Sequence, residues 1–330
     1  MVNPSGGLYP DGKMTAKVIN DMHKCKAAGT PCFLTAGYNR PHLPFNAPLK
    51  YWEMYDLESI ELADNPYLAV DAPKRSLHYF ELKNYNNIPP YGYLNPLNDS
   101  MARTLRHGYY ASVSYVDALI GRLIDELKYL NMYEDTIITL ASDHGYHLGE
   151  KGTWCKHSVY EETLHVPLII KAPGYAPSRV PALVENIDIF PTVLELNEIP
   201  FPRHLQGKSL DAIFARYLDG DTIRVQPMNT STRVVEDYQY SEYCAEACWS
   251  IERCGPACSS TSNGTINEIT TTIDSIRRAD NDNMFYDHTI DWDENYNRAH
   301  YPFRPKEENS SEYRSYPQYA EGIYALTVAT

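Results

Sequence analysis

The sequence predicts an α/β protein with a largely parallel sheet flanked by helices, and three observations carry that prediction. Short apolar or β-branched runs at Cys32–Ala36, Thr136–Leu140 and Val166–Ile170 have the length and composition of buried strands. The stretch from Met101 to Leu130 places Val113, Val116, Ile120, Leu123, Leu127 and Leu130 at three- and four-residue steps, which gives a helix one apolar face to lay on a sheet. Strand and helix signals then alternate through residues 32–200, the order expected when helices cover a sheet.

Taken in order, Thr15–Lys26 is expected to form a short helix, broken by Ala27, Ala28, Gly29, Thr30 and Pro31. The Cys32 strand ends at Gly37 and runs into GYNRPHLPF, where the prolines force an extended loop. Residues 46–98 are rich in Pro, Asn and Tyr and weakly periodic, so they read as a loop-rich excursion with one short helix near Pro48–Tyr55. Asn131 closes the long helix, Pro173 and Gly174 close the Val166 strand, and Ile187–Asn197 forms a helix that starts near Asp188. Composition shifts near Pro200, Phe201 and Pro202, which divides the chain into a unit over 1–200 and a smaller, irregular C-terminal subdomain over 201–330.

Charge and composition exclude some functions. A net charge of -14 argues against a nucleic-acid surface, because phosphate contacts need clustered Lys and Arg. No run approaches the length of a membrane-spanning helix. The first residues, MVNPSGGLYPDGK, lack the charged and apolar regions of a signal peptide. Sequons at Asn98, Asn229, Asn263 and Asn309 nevertheless suggest a secretory route. Cys244, Cys248, Cys254 and Cys258 form a tight cluster that reads as two disulfides, with a zinc site as the alternative. Cys25, Cys32 and Cys155 are expected to be single thiols.

The chemistry concentrates where the Thr136 strand ends. Asp143, His144 and Gly145 follow it at once, on the edge where strand ends deliver side chains into a shared crevice. A carboxylate, an imidazole, a tight-turn glycine and Lys156 a dozen residues on would suit an anion held beside a cation; a plain strand-end turn is the other reading of Asp-His-Gly alone. The longer string, Ser142, Asp143, His144, Gly145, Leu148, Gly149, Glu150, Gly152, Trp154 and Lys156, resembles the sulfatase family. His42 within GYNRPHLPF and the helix segment YYASVSYVDALIGRLIDEL are similar to further family segments, and the likeness extends over about residues 9–216.

That resemblance implies an alkaline-phosphatase-like α/β fold and sulfuric ester hydrolysis. It implies that Asp143 and His144 belong to a calcium site, and that His42 and Lys156 contact the sulfate in catalysis. The implied substrate is a sulfate ester of a glycosaminoglycan, a sulfated uronic acid of heparan or dermatan sulfate in the branch most resembled, and the implied setting is lysosomal or secreted. Arg40 stands beside His42 and could help neutralise substrate, whereas His157 and His165 read as structural. One departure is large. Family members make a formylglycine nucleophile from the cysteine of a Cys-x-Pro-Ser-Arg segment, and none occurs here; the nearest string, Tyr175 to Arg179, begins with tyrosine. The family's earlier pair of aspartates is also missing, so the calcium site is expected to be incomplete and the catalytic domain N-terminally truncated. A catalytically inactive relative, or a hydrolase of phosphate esters in the same superfamily, are the rival readings.

Overall fold

A computed structural model describes residues 9–213, apart from 74–75, 77–79, 93–94 and 181, together with four later strands. Helix α1 (Pro10–Ala28) starts earlier than periodicity alone suggests, because Pro10 sits at the first helical position, where its missing N–H costs nothing. It ends at Gly29, whose left-handed φ of 62° lets its N–H return to the Cys25 carbonyl. That reversal corrects one expectation. Cys25 and Cys32 are not single thiols; the turn brings their Cα atoms to 6.1 Å and they form a disulfide. Cys155 is a buried thiol outside any disulfide among the described residues, as expected, and it accepts the Tyr146 hydroxyl at 3.2 Å.

Strand β1 (Phe33–Gly37) leads through the proline loop to the short helix α2 (Leu49–Trp52), and α3 (Phe80–Lys83) follows in the excursion. Helix α4 (Asp99–Tyr129) is 31 residues long and begins at Asn98, whose side-chain oxygen accepts the Met101 N–H. Its buried stripe runs through Leu105, Tyr109, Ser112, Val116, Leu119, Leu123 and Leu127. Val113, Ile120 and Leu130, expected on that stripe, are only partly buried. The face is turned because α1 and α2 also pack on α4: Val18, Met22 and Tyr51 share one core with Tyr115, Val116, Leu119 and Leu123, and with Ala36 and Ile138 of the sheet.

Beyond α4 come β2 (Ile137–Ala141), β3 (His147–Leu148), β4 (Trp154–Cys155), α5 (Glu161–Leu164), β5 (Leu168–Lys171) and α6 (Ile189–Leu196). Four later strands, β6 (Thr232–Val235), β7 (Tyr238–Glu242), β8 (Asn283–Asp287) and β9 (Ala325–Ala329), complete the order. The main sheet runs β1-β9-β2-β5, while β6, β7 and β8 form a separate antiparallel sheet.

The α/β class is as expected, but strand direction differs in a specific way. β1 and β2 do run parallel to each other, yet β9 lies between them and is antiparallel to both, pairing Ala329 with Phe33 on one side and with Ile137 on the other. β5 is antiparallel to β2, with Ile138 opposite Lys171. A parallel pair needs a crossover that carries the chain back along the sheet. The segment from β2 to β5 contains only the four-residue α5 and the β3–β4 hairpin, so it returns on the same edge. The four clustered cysteines, Cys244, Cys248, Cys254 and Cys258, lie outside the described residues. Among the described residues no helix is long and apolar enough to cross a membrane.

Candidate functional site

The site is built from two loops, one after β1 and one after β2, with α3 laid over them. After Gly37 the chain is pinned at Asn39, whose N–H donates to Asp11 Oδ1 at 2.8 Å, and at the buried Tyr38, 3.2 Å from Thr15 Oγ1. Arg40 is itself buried and gives Nη1 to the His42 carbonyl at 3.0 Å. It therefore braces the loop from within. His42 Nδ1 lies 2.8 Å from the Leu43 carbonyl, which places the proton on that nitrogen and turns Nε2 outward.

There His42 meets Lys156, as the sequence leads one to expect: Lys156 Nζ lies 2.8 Å from His42 Nε2. A third group completes the contact. Glu81 Oε1 accepts from Lys156 Nζ at 2.6 Å and sits 3.1 Å from His42 Nε2, while Glu81 Oε2 lies 3.2 Å from His157 Nε2. Three nitrogen groups thus converge on one carboxylate. Burial would raise the Glu81 carboxyl, but the hydrogen bonds and charges of His42 and Lys156 outweigh it and hold the group at about 2. The Glu81 contact in turn raises His42, against the effects of burial and of Lys156. His157 is held below its usual value, first by burial, although Glu81 pulls the other way. His157, expected to be structural, thus lies against the same carboxylate as His42 and Lys156. Its place directly after Lys156 was the available signal; for Glu81 the sequence offered none.

Asp143 and His144 stand on the neighbouring loop, close enough for the charge of His144 to act on His157. Asn186 braces that loop from α6's side, giving Nδ2 to the Ser142 carbonyl at 2.9 Å. The His144 N–H bonds Asp143 Oδ1 at 3.0 Å, and His144 Nδ1 lies 2.8 Å from the Gly145 carbonyl. Gly145 is required here, since a Cβ at this position would fall 2.0 Å from the Glu162 carbonyl oxygen. Calcium takes six to eight oxygen ligands. Asp143 and His144 do not supply such a shell alone, and among the described residues no group of three or more His, Cys, Asp and Glu side chains could hold a metal ion.

Between Gly145 and Lys156 the hairpin β3–β4 is anchored by buried charge. Arg106 of α4 donates Nη1 to the Leu148 carbonyl at 2.9 Å and to Glu150 Oε1 at 3.1 Å. Lys151, fully buried, adopts φ 55° in the turn, bonds Glu162 and lies 4.8 Å over the Tyr160 ring. His147, also fully buried, places Nε2 2.7 Å from Ser158 Oγ. Burial holds its pKa down at about 4, with Glu162 and Lys151 exerting opposed smaller effects.

This buried histidine gives the fold a pH dependence with a definite sign. Between its unfolded value of about 6.5 and its folded value of about 4, the unfolded chain binds the extra proton. The contribution of His147 to stability is therefore complete above that window and is lost as pH falls through it. Urea midpoints are expected to drop between pH 6.5 and 4 in the wild type and less so in His147→Gln. Parallel titrations in both proteins would contradict this assignment.

The sulfatase family model matches residues 2–199, which include β1, α4, β2 and every residue of the cluster. The chain belongs to the sulfatase family. It is 35% identical to human iduronate 2-sulfatase over 202 residues, covering 58% of this chain and 36% of that protein. A sulfatase of Formosa agariphila is 34% identical over 254 residues, covering 72% of this chain and 47% of the relative. Among solved structures, a phosphonate monoester hydrolase from Silicibacter pomeroyi aligns with a TM-score of 0.56 at 30% identity, covering 72% of this chain and 44% of that one. The chain thus spans less than half the length of these relatives.

Proposed function

We propose that this chain carries the sulfate-binding side of a sulfuric ester hydrolase site, with Lys156 and His42 as the groups that take the sulfate oxygens. The observation that supports this reading is the convergence of Lys156 Nζ, His42 Nε2 and His157 Nε2 on a single carboxylate. Donors fixed around one negative group are what a sulfate needs, because charge-assisted hydrogen bonds in a partly buried site are stronger than neutral ones. Lys156 would bring permanent positive charge. His42, oriented by the Leu43 carbonyl, would donate Nε2–H to an oxygen as an imidazolium, and Arg40 would keep that loop in register.

Asp143 and His144 are proposed as this chain's contribution to a calcium site that its described residues complete only in part. The ion would supply positive charge to the sulfate. The proposed substrate is a sulfated uronic acid of heparan or dermatan sulfate, supported by the likeness to iduronate 2-sulfatase. A lysosomal or secreted setting is supported by the Cys25–Cys32 disulfide and by the exposed sequon at Asn98, because disulfides persist in oxidising compartments.

Calorimetric titration of inorganic sulfate into the wild type and Lys156→Met tests the reading. Losing a charge-assisted hydrogen bond of about 1.5–3 kcal/mol is expected to weaken sulfate at least about tenfold. Equal affinity in the two proteins would sink the assignment of Lys156.

A further inference from the structure

The anion seat already contains an anion. Glu81 is not part of the string that runs from Ser142 to Lys156, nor of the loop around His42; it reaches the site from α3, in the excursion between β1 and α4. Its helix is anchored by Leu82, which is buried, and Phe80 beside it stacks on the His157 ring with centroids 6.2 Å apart. The carboxylate itself is deeply set, with only 15% of the side chain exposed.

Its fit is incomplete. Oε1 is shared between Lys156 and His42, whereas Oε2 is buried and makes no aligned hydrogen bond although His157 Nε2 is 3.2 Å away. A flat two-oxygen carboxylate therefore meets the three nitrogens unevenly. A tetrahedral oxyanion offers oxygens in three directions, one for each nitrogen.

We infer that Glu81 is the resident occupant of the oxyanion seat, held between Lys156, His42 and His157 in the absence of ligand and displaced when a sulfate enters. The inference rests on the reading of Lys156 and His42 as the sulfate-binding pair. Its physical basis is simple: the Glu81 carboxylate and a sulfate cannot share the same donors, since two anions at contact distance repel strongly in a partly buried site. Ligand binding must then break the Glu81 contacts, and resting affinity is lowered by the population of the closed form. Glu81 becomes a selectivity element as well. Anions unable to satisfy all three nitrogens gain too little to expel it.

The experiment is titration of inorganic sulfate at constant ionic strength into the full chain and its variants, with thermal melts to confirm folding. Glu81→Gln keeps the side-chain shape and removes the charge, and Glu81→Ala removes the side chain. Both are expected to bind sulfate about tenfold tighter than the wild type or more, and adding Lys156→Met to either should abolish the gain. Unchanged or weaker binding in both Glu81 variants, with the Lys156 dependence intact, overturns the inference. Glu81 would then be a fixed positioning carboxylate, and the sulfate-binding reading would survive. If Lys156→Met has no effect in any background, both fail.

Discussion

Lys151→Met is expected to destabilise the fold by about 3–5 kcal/mol, the cost of removing one partner from a buried ion pair. Lys151 has no exposed surface and bonds Glu162, which is only 18% exposed, while the nearby His147 is fully buried. Burial tends to raise the Glu162 carboxyl, but the Lys151 charge outweighs it and holds the group below its usual range. Methionine fills the space of the lysine stem and leaves Glu162 facing only His147, whose Nδ1 is 4.0 Å from Oε2. The carboxylate must then take up a proton or remain buried and uncompensated, and either course costs stability.

A second variant separates charge from packing. Lys151→Met combined with Glu162→Leu removes both charges and should recover most of the loss, since a buried pair replaced by apolar groups is often neutral. Urea denaturation of the two variants measures the difference. Equal destabilisation of single and double variants would show that packing around Tyr160, not the ion pair, sets the cost. The site should feel the single change too, because the Glu150–Gly152 turn joins β3 to the strand that delivers Lys156.

The polypeptide of these 330 residues is expected to release no sulfate from an aryl or uronate sulfate ester. Hydrolysis by this family's route needs an activated oxygen nucleophile placed against sulfur, and the Cys-x-Pro-Ser-Arg segment that provides it is absent from the sequence. Binding groups without a nucleophile hold a ground state; they do not lower the barrier for attack. The check is a sulfate-release assay on the pure chain with calcium, run beside Lys156→Met. Metal-dependent turnover that disappears in the variant would contradict the expectation and require a nucleophile from another residue.

Much of this was legible in the sequence where the information is contiguous. Local pattern places the β2 run and the Asp143-His144-Gly145 turn at a strand end, and the resemblance of the same short string to the family sets the register of Gly152, Trp154 and Lys156. His42 was legible for the same reason, lying just beyond β1 in its proline loop. Glu81 was not. It lies in a stretch without clear periodicity, and only the tertiary fold brings residue 81 against residues 42 and 156.

The misread cysteines have a comparable cause. Seven residues separate Cys25 from Cys32, and nothing in that spacing reveals the left-handed turn at Gly29 that joins them. Strand direction was hidden too, because the partner that separates β1 from β2 comes from the far end of the chain. Nor does the sequence signal that His147 and Lys151 are fully buried beside Glu162, because only tertiary packing buries them.

An oxyanion held between Lys156 and His42 can be seen directly. Selenate has the shape and charge of sulfate and scatters anomalously, so crystals of the full chain soaked in selenate and measured at the selenium edge locate it directly. The expected result is an anomalous peak whose selenate oxygens lie about 3 Å from Lys156 Nζ and from His42 Nε2, with the Glu81 carboxylate withdrawn. A peak elsewhere, with none between those two nitrogens, would contradict the account.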